Sequence, residues 1–127
     1  MGDSLTKELI NYLSQFILEE RLKLFEENIN LRSRHLTLVL EDVFQSRNIS
    51  AVMRSADCFG IQDVHVIENK NNYSTDKSVS LGASKWLTIK QHNTERNNTE
   101  NCIKKLKKQG YKIIAATPHN TDISLDE

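Results

Sequence analysis

Between residues 36 and 116 the sequence alternates short apolar runs with polar or helix-patterned stretches, and this alternation constrains the fold more than any other feature. A strand that is buried on both faces of a parallel sheet has a nearly continuous apolar sequence. Strands that alternate with helices predict an α/β fold in which right-handed crossovers connect the strands of a parallel, Rossmann-like sheet. The four predicted strands are residues 36–40, 63–67, 86–89 and 112–116.

The first 30 residues have a different pattern, in which apolar side chains recur at helical spacing with Glu and Lys between them. Ser14 interrupts this pattern and is the predicted cap of a second helix. A short basic connection with Arg32 and Arg34 then leads to the first strand. We therefore divide the chain into an N-terminal helical extension, residues 1–34, and an α/β unit, residues 35–127.

Composition narrows the classes of function. Lys and Arg total 17, as do Asp and Glu, so an RNA site must come from local placement of basic side chains rather than from net charge. No apolar run approaches the roughly 20 residues that span a bilayer, so no membrane association is expected. The two cysteines, Cys58 and Cys102, are far apart in sequence and are expected to be buried thiols of a cytoplasmic protein.

The segment from residue 46 to residue 60 is the most informative for function. As a helix closed by Gly60, it carries two stripes at i, i+3, i+4 and i+7 spacing. An Arg among small side chains can hold a phosphate with its planar, bidentate fork, while Asn48 is placed to cap the helix start. The apolar stripe is Ile49, Val52, Met53 and Ala56, and the second stripe is Ala51, Arg54, Ser55 and Cys58.

This segment, with the flanking strands, resembles the first sequence motif of the SpoU branch of the SPOUT RNA methyltransferases. The resemblance rests on residues 38–43, Arg47-Asn48, residues 54–60 and residues 62–67, and it continues through residues 80–84 to the strand end at residues 115–117. It covers nearly all of the chain from Leu36 onward. Within the family, the enzymes that methylate the 2'-oxygen of a guanosine in the tRNA D-loop have a similar basic helical extension.

The resemblance implies a role for individual residues. Arg54 matches the family's catalytic arginine, and Asn48 matches the asparagine that positions it. Ala116 and Thr117 match the strand end where contacts to S-adenosylmethionine begin. The resemblance further implies a tRNA substrate and a homodimer, in which Arg54 of one subunit faces the methyl donor bound by the other subunit. The basic residues at the positions of tRNA contacts are Arg32, Arg34 and Arg47.

The sequence departs from the family pattern in its later motifs. The family has a glycine-containing loop with a Glu and then a Ser-Leu-Asn stretch threaded through a trefoil knot, and neither occurs in these 127 residues. We therefore expect the chain to be a fragment whose donor pocket is incomplete. On that expectation it does not methylate RNA by itself.

Three alternatives remain open at the level of sequence. An enzyme of the same family acting on rRNA would use the same chemistry on a different substrate. A non-catalytic RNA-binding module would explain the neutral net charge and the missing motifs. A flavodoxin-like domain for another ligand would require a phosphate-binding glycine loop, which is not visible. The four histidines have no metal-ligand spacing, so no metal site is expected.

Overall fold

A computed structural model describes residues 2–74 and 77–116 of the chain. The strands β1, β2 and β3 are Leu38–Glu41, Asp63–Ile67 and Thr88–His92, and a short 3₁₀ turn, Ala83–Lys85, precedes β3. Among the described residues, no helix is long and apolar enough to cross a membrane. The helices α1 to α5 are Gly2–Ser14, Glu19–Asn30, Ser46–Cys58, Lys77–Ser80 and Asn98–Lys108.

The three strands form one parallel sheet in the order β1-β2-β3. All five residues of the central strand β2 are buried, including the polar residues Asp63 and His65. Val64 and Val66 of β2 pack with α3, whereas Ile67 packs with α5. Because neighbouring side chains of a strand point to opposite faces, the two helices cover opposite faces of the sheet. The predicted α/β fold with a parallel sheet is confirmed.

Each face of the sheet has its own apolar cluster. The larger cluster joins α3 to the sheet and the smaller one joins α5 to it. Burial of a large apolar side chain contributes roughly 1.5–3 kcal/mol, so both helices are held mainly by these contacts. The larger cluster contains Ile49, Met53, Ala56, Val64, Val66 and Leu87, and the smaller one contains Ile67, Cys102 and Leu106.

The prediction of a fourth strand at residues 112–116 is wrong for the described structure. Residues 111–116 have no regular secondary structure and no strand partner. They lie across a cavity of about 950 Å³ from the outer edge of β1. Tyr111 anchors the segment, because its hydroxyl donates to the Arg34 carbonyl oxygen at 2.5 Å. The apolar pattern identified a segment beside the sheet, but a strand also needs a hydrogen-bonded neighbour.

The third predicted strand is displaced along the chain. The sequence predicts residues 86–89, whereas β3 is Thr88–His92. Trp86 lies before the strand with 42 % of its surface exposed, and its ring meets Phe25 of α2 edge-on at a centroid distance of 5.2 Å. The predicted turn at residues 80–84 is confirmed, since Gly82 adopts a φ of +88°.

The extension is helical and interrupted near residue 14, as predicted. Ser14 does not cap the second helix, however. It ends α1 and its hydroxyl donates to the Ile10 carbonyl oxygen at 2.7 Å, while Leu18 is the N-cap residue of α2 without a side-chain capping bond. α1 exposes many large apolar side chains, which are Leu5, Leu9, Ile10, Tyr12 and Leu13.

Asp42, directly after β1, organises the loop that follows β2. Its carboxylate accepts the backbone N–H groups of Lys70 at 2.8 Å and Asn69 at 2.7 Å. The Lys70 N–H bond is the main cause that lowers the pKa of the Asp42 carboxyl below 3.8, and desolvation opposes it. The charged form is therefore favoured in the folded state.

Replacing Asp42 by Asn should lower the melting temperature at neutral pH, because the charge that strengthens these bonds is lost. Asn tolerates the positive φ of 47° at this position, so the change isolates the charge. The carboxylate's stabilisation is present above the unfolded pKa and is lost as pH falls through the lower folded pKa. Thermal denaturation should show the gap between the two proteins closing below pH 3.8. Equal melting temperatures at pH 7 would contradict this role.

Candidate functional site

Helix α3 packs on the sheet through one of its two stripes, which carries the apolar side chains. Ile49, Met53 and Ala56 of the predicted apolar stripe are buried, and Val52 is half-buried. The helix ends at Phe59 and Gly60, where Gly60 has a φ of +70° as a helix-closing glycine. The interpretation of this segment as an amphipathic helix after the first strand is confirmed.

The second stripe of α3 faces solvent. Ala51, Arg54, Ser55 and Cys58 are all exposed. Within residues 2–74 and 77–116, no acidic residue forms an ion pair with Arg54. Cys58 was expected to be buried, and the structure corrects that expectation because the thiol lies on this exposed face.

The N-terminal turn of α3 carries two more of the predicted site residues. Arg47 and Asn48 are both exposed there, and the turn contains no acidic residue. A helix N-terminus favours anions, and neighbouring arginines strengthen that preference. The prediction that Asn48 caps the helix is wrong. Asn48 is the third residue of α3, and the N-cap position belongs to Gln45, without a side-chain capping bond.

The two arginines before the first strand have partners inside the protein. Arg32 forms a partly buried ion pair with Asp57 at the C-terminal end of α3. Arg34 lies 3.4 Å from the Asp63 carboxylate through Nε, with 66 % of its side chain exposed. Arg34 therefore keeps an accessible surface, whereas the Arg32 guanidinium mainly ties the extension to α3.

The carboxyl ends of the strands carry a polar network that the sequence did not reveal. The Thr99 hydroxyl, at the start of α5, donates to the Glu41 carboxylate at 2.5 Å. It also accepts from the Asn69 amide at 2.9 Å. Ligands of parallel α/β sheets bind outside this edge. Only knowledge of strand register would have brought these three residues together from the sequence.

Ala116 is exposed and lines the cavity beside β1, together with Glu41 and Thr99. Thr117, the second predicted contact for the methyl donor, lies outside the described residues, as does His119.

The opposite face of the sheet gathers three side chains that the sequence analysis treated as unrelated. His65 Nδ1 lies 2.9 Å from His92 Nε2 and 3.8 Å from the Cys102 sulfur. Burial, followed by the charges of Lys90 and His92, lowers the pKa of His65 to about 4, so its imidazole is neutral at pH 7. The sequence spacing did not predict this contact between His65 and His92.

The sequence is similar to that of known RNA methyltransferases. Residues 35–127 match the SpoU rRNA Methylase family. A tRNA (guanosine(18)-2'-O)-methyltransferase of Borreliella burgdorferi is 40 % identical over 99 % of this chain and 56 % of its own length. The enzyme of that name from Escherichia coli K12 is 31 % identical over 79 % of this chain and 41 % of its own length.

The fold agrees as well. The crystal structure of the Aquifex aeolicus TrmH/SpoU tRNA modifying enzyme superposes with a TM-score of 0.63, at 22 % identity over 72 % of this chain and 45 % of that one. The chain thus spans about half the length of the relatives it matches. Because the family match covers most of its residues, this chain belongs to the SpoU methylase family.

Proposed function

We propose that this chain forms part of an S-adenosylmethionine-dependent enzyme that methylates the 2'-oxygen of guanosine 18 in tRNA. The observation that carries the proposal is Arg54, which stands exposed on the small-residue face of α3 without an ion pair among the described residues. The names of the relatives from Borreliella burgdorferi and Escherichia coli favour this substrate. We keep the division into an extension, residues 1–34, and a methyltransferase domain from residue 35.

Arg54 and Asn48 have different proposed roles. The guanidinium of Arg54 holds an RNA phosphate through two parallel hydrogen bonds and so aligns the ribose 2'-hydroxyl. Asn48 lies on the same helix and positions the arginine or its phosphate. A guanidinium that donates both of these bonds keeps its own proton and has no lone pair to accept another, so the hydroxyl proton passes to the phosphate late in the transfer. Alignment alone supplies several kcal/mol of the barrier reduction.

We propose S-adenosylmethionine as the methyl donor, which, when bound, supplies an activated methyl group on a sulfonium. Ala116 is exposed and lines the cavity beside β1, which supports its assignment as a donor-binding residue. Thr117 is its proposed neighbour. Since the chain covers 56 % of the first relative's length, we propose that residues outside these 127 complete the pocket. The chain by itself is then inactive.

Recognition of tRNA is assigned to local basic side chains. Arg47 and Arg34 are exposed and lie at the N-terminal end of α3 and before β1, respectively. Arg32 contributes less, because Asp57 already holds its guanidinium. Phosphate contacts of this kind weaken as salt rises. The net charge of zero requires recognition to depend on this surface rather than on the whole domain.

A homodimer in the cytoplasm completes the proposal. Phe44 precedes α3 in the chain and Phe59 follows it, and each is 83 % exposed. Exposed aromatic rings beside a face of small residues favour close contact with a protein surface. In the proposed dimer, Arg54 of one subunit faces the donor bound by its partner. The two free cysteines agree with a reducing compartment.

A second candidate substrate is rRNA, because the matching family is described as rRNA methylases. The experiment is methyl transfer from labelled S-adenosylmethionine to tRNA and to rRNA, by the product of the complete gene and by the 127-residue chain. We expect transfer to tRNA by the complete product only. Transfer to rRNA alone would select the second candidate. Failure of the complete product to bind the donor would favour a non-catalytic RNA-binding module.

A further inference from the structure

The cluster on the α5 face of the sheet brings two imidazoles and a thiol together. His65 Nδ1, His92 Nε2 and the Cys102 sulfur all lie within 4.8 Å of one another. Cys102 is fully buried, His65 is 6 % exposed and His92 is half-buried. We infer that these three residues form a binding site for a zinc-type transition-metal cation, on the face of the sheet opposite to Arg54.

The fold creates this cluster through strand register. In the register of β2 and β3, His65 is paired with Lys90 and Ile67 is paired with His92. His92 therefore lies two residues after the partner of His65. Side chains two apart in a strand point to the same face, which is the face that α5 covers with Cys102. The ligands therefore come from β2, β3 and α5. A cation bound by all three would tie the helix to both strands.

Two of the three ligand separations lie near the values for tetrahedral coordination. Zinc bonds of about 2.0–2.1 Å to nitrogen and about 2.3 Å to sulfur place two nitrogens roughly 3.4 Å apart and a nitrogen and a sulfur roughly 3.6 Å apart. The observed separations of 2.9 Å and 3.8 Å lie within about half an ångström of these values.

The chemical types of the three ligand atoms indicate which cations the site would bind. A thiolate with two imidazoles suits zinc, cobalt or copper and disfavours magnesium and calcium, which prefer oxygen. Three protein ligands leave the fourth position for water. Binding transfers the Cys102 thiol proton to solvent, and in the histidine pair the shared N–H moves to the other ring nitrogen. No electron is transferred.

The first test is titration of untagged, chelator-treated 127-residue chain with Zn²⁺ in a calorimeter. We expect about one ion per chain, a higher melting temperature with Zn²⁺ because the ion binds the folded state, and no effect of Mg²⁺. His92→Gln should lower the affinity at least tenfold. The matched control His35→Gln, at an exposed histidine outside the cluster, should bind as the wild type does.

The Co²⁺ absorption spectrum provides a second readout, which can be measured on a protein that keeps all three proposed ligands. Cys58→Ser leaves Cys102 as the single thiol, since the chain has two cysteines. This protein should give the thiolate-to-cobalt charge-transfer band with Co²⁺, and Cys102→Ser should not. Absence of the band in Cys58→Ser would overturn the inference. So would Zn²⁺ affinity that is unchanged by His92→Gln, or a wild-type protein that does not bind Zn²⁺.

Discussion

Arg54→Lys in the product of the complete gene is expected to lower kcat for tRNA methylation by at least about 100-fold. Lysine keeps the positive charge but loses the planar fork that holds a phosphate through two bonds. Removal of one positioned donor to a developing charge costs enzymes about 100- to 1,000-fold in kcat. Arg54 has no ion pair among the described residues, so the loss reports its contact with the substrate rather than a disrupted fold.

The matched control is Arg96→Lys, because Arg96 is an exposed arginine outside α3. It should methylate tRNA at the wild-type rate. Steady-state kinetics separate the effects, since a role in binding alone would raise KM and leave kcat unchanged. Near-normal kcat in Arg54→Lys would rule out the bidentate role, and equal losses in both variants would show that any arginine replacement is harmful.

Gly60→Ala is expected to lower the free energy of unfolding by about 2–4 kcal/mol. Gly60 has a φ of +70°, a conformation that costs a residue with a Cβ roughly 1–2 kcal/mol. The added Cβ would also meet the Leu31 carbonyl oxygen at 2.7 Å. That oxygen is backbone and cannot move freely, because Ser33 N–H donates to the Gly60 carbonyl oxygen at 2.8 Å and joins the two segments.

Gly110→Ala provides the comparison for Gly60→Ala. Gly110 has a φ of +91°, but a Cβ there would meet nothing within 4 Å. Gly110→Ala should therefore lower the free energy of unfolding only by the conformational part, about 1–2 kcal/mol. Denaturant unfolding of the three proteins measures the difference. Equal losses in both variants would show that close packing of the extension against Gly60 contributes nothing.

Local periodicity was sufficient to predict α3. The i, i+3, i+4 spacing assigned Ile49, Met53 and Ala56 to the core and Arg54 to the exposed face, and both assignments are confirmed. The apolar runs around Val39 and Val66 predicted two strands for the same reason. These features depend on residues that are close in sequence, where side-chain direction follows from helix or strand geometry.

Features that depend on distant residues were predicted less well. The segment at residues 112–116 has the composition of a strand but no strand partner among the described residues. His65 and His92 come together only through the register of β2 and β3, and Cys102 joins them through the packing of α5. Sequence spacing contains neither relationship, so the histidine pair was interpreted as two separate residues.

The central claim is that Arg54 and its helix serve transfer of a methyl group to one ribose oxygen of tRNA. The most direct measurement is methylation by the product of the complete gene of two tRNAs that differ only at guanosine 18, one with the natural ribose and one with 2'-deoxyribose. We predict labelled methyl incorporation at guanosine 18 in the natural tRNA and none in the deoxy form. Equal incorporation into both tRNAs would contradict the account.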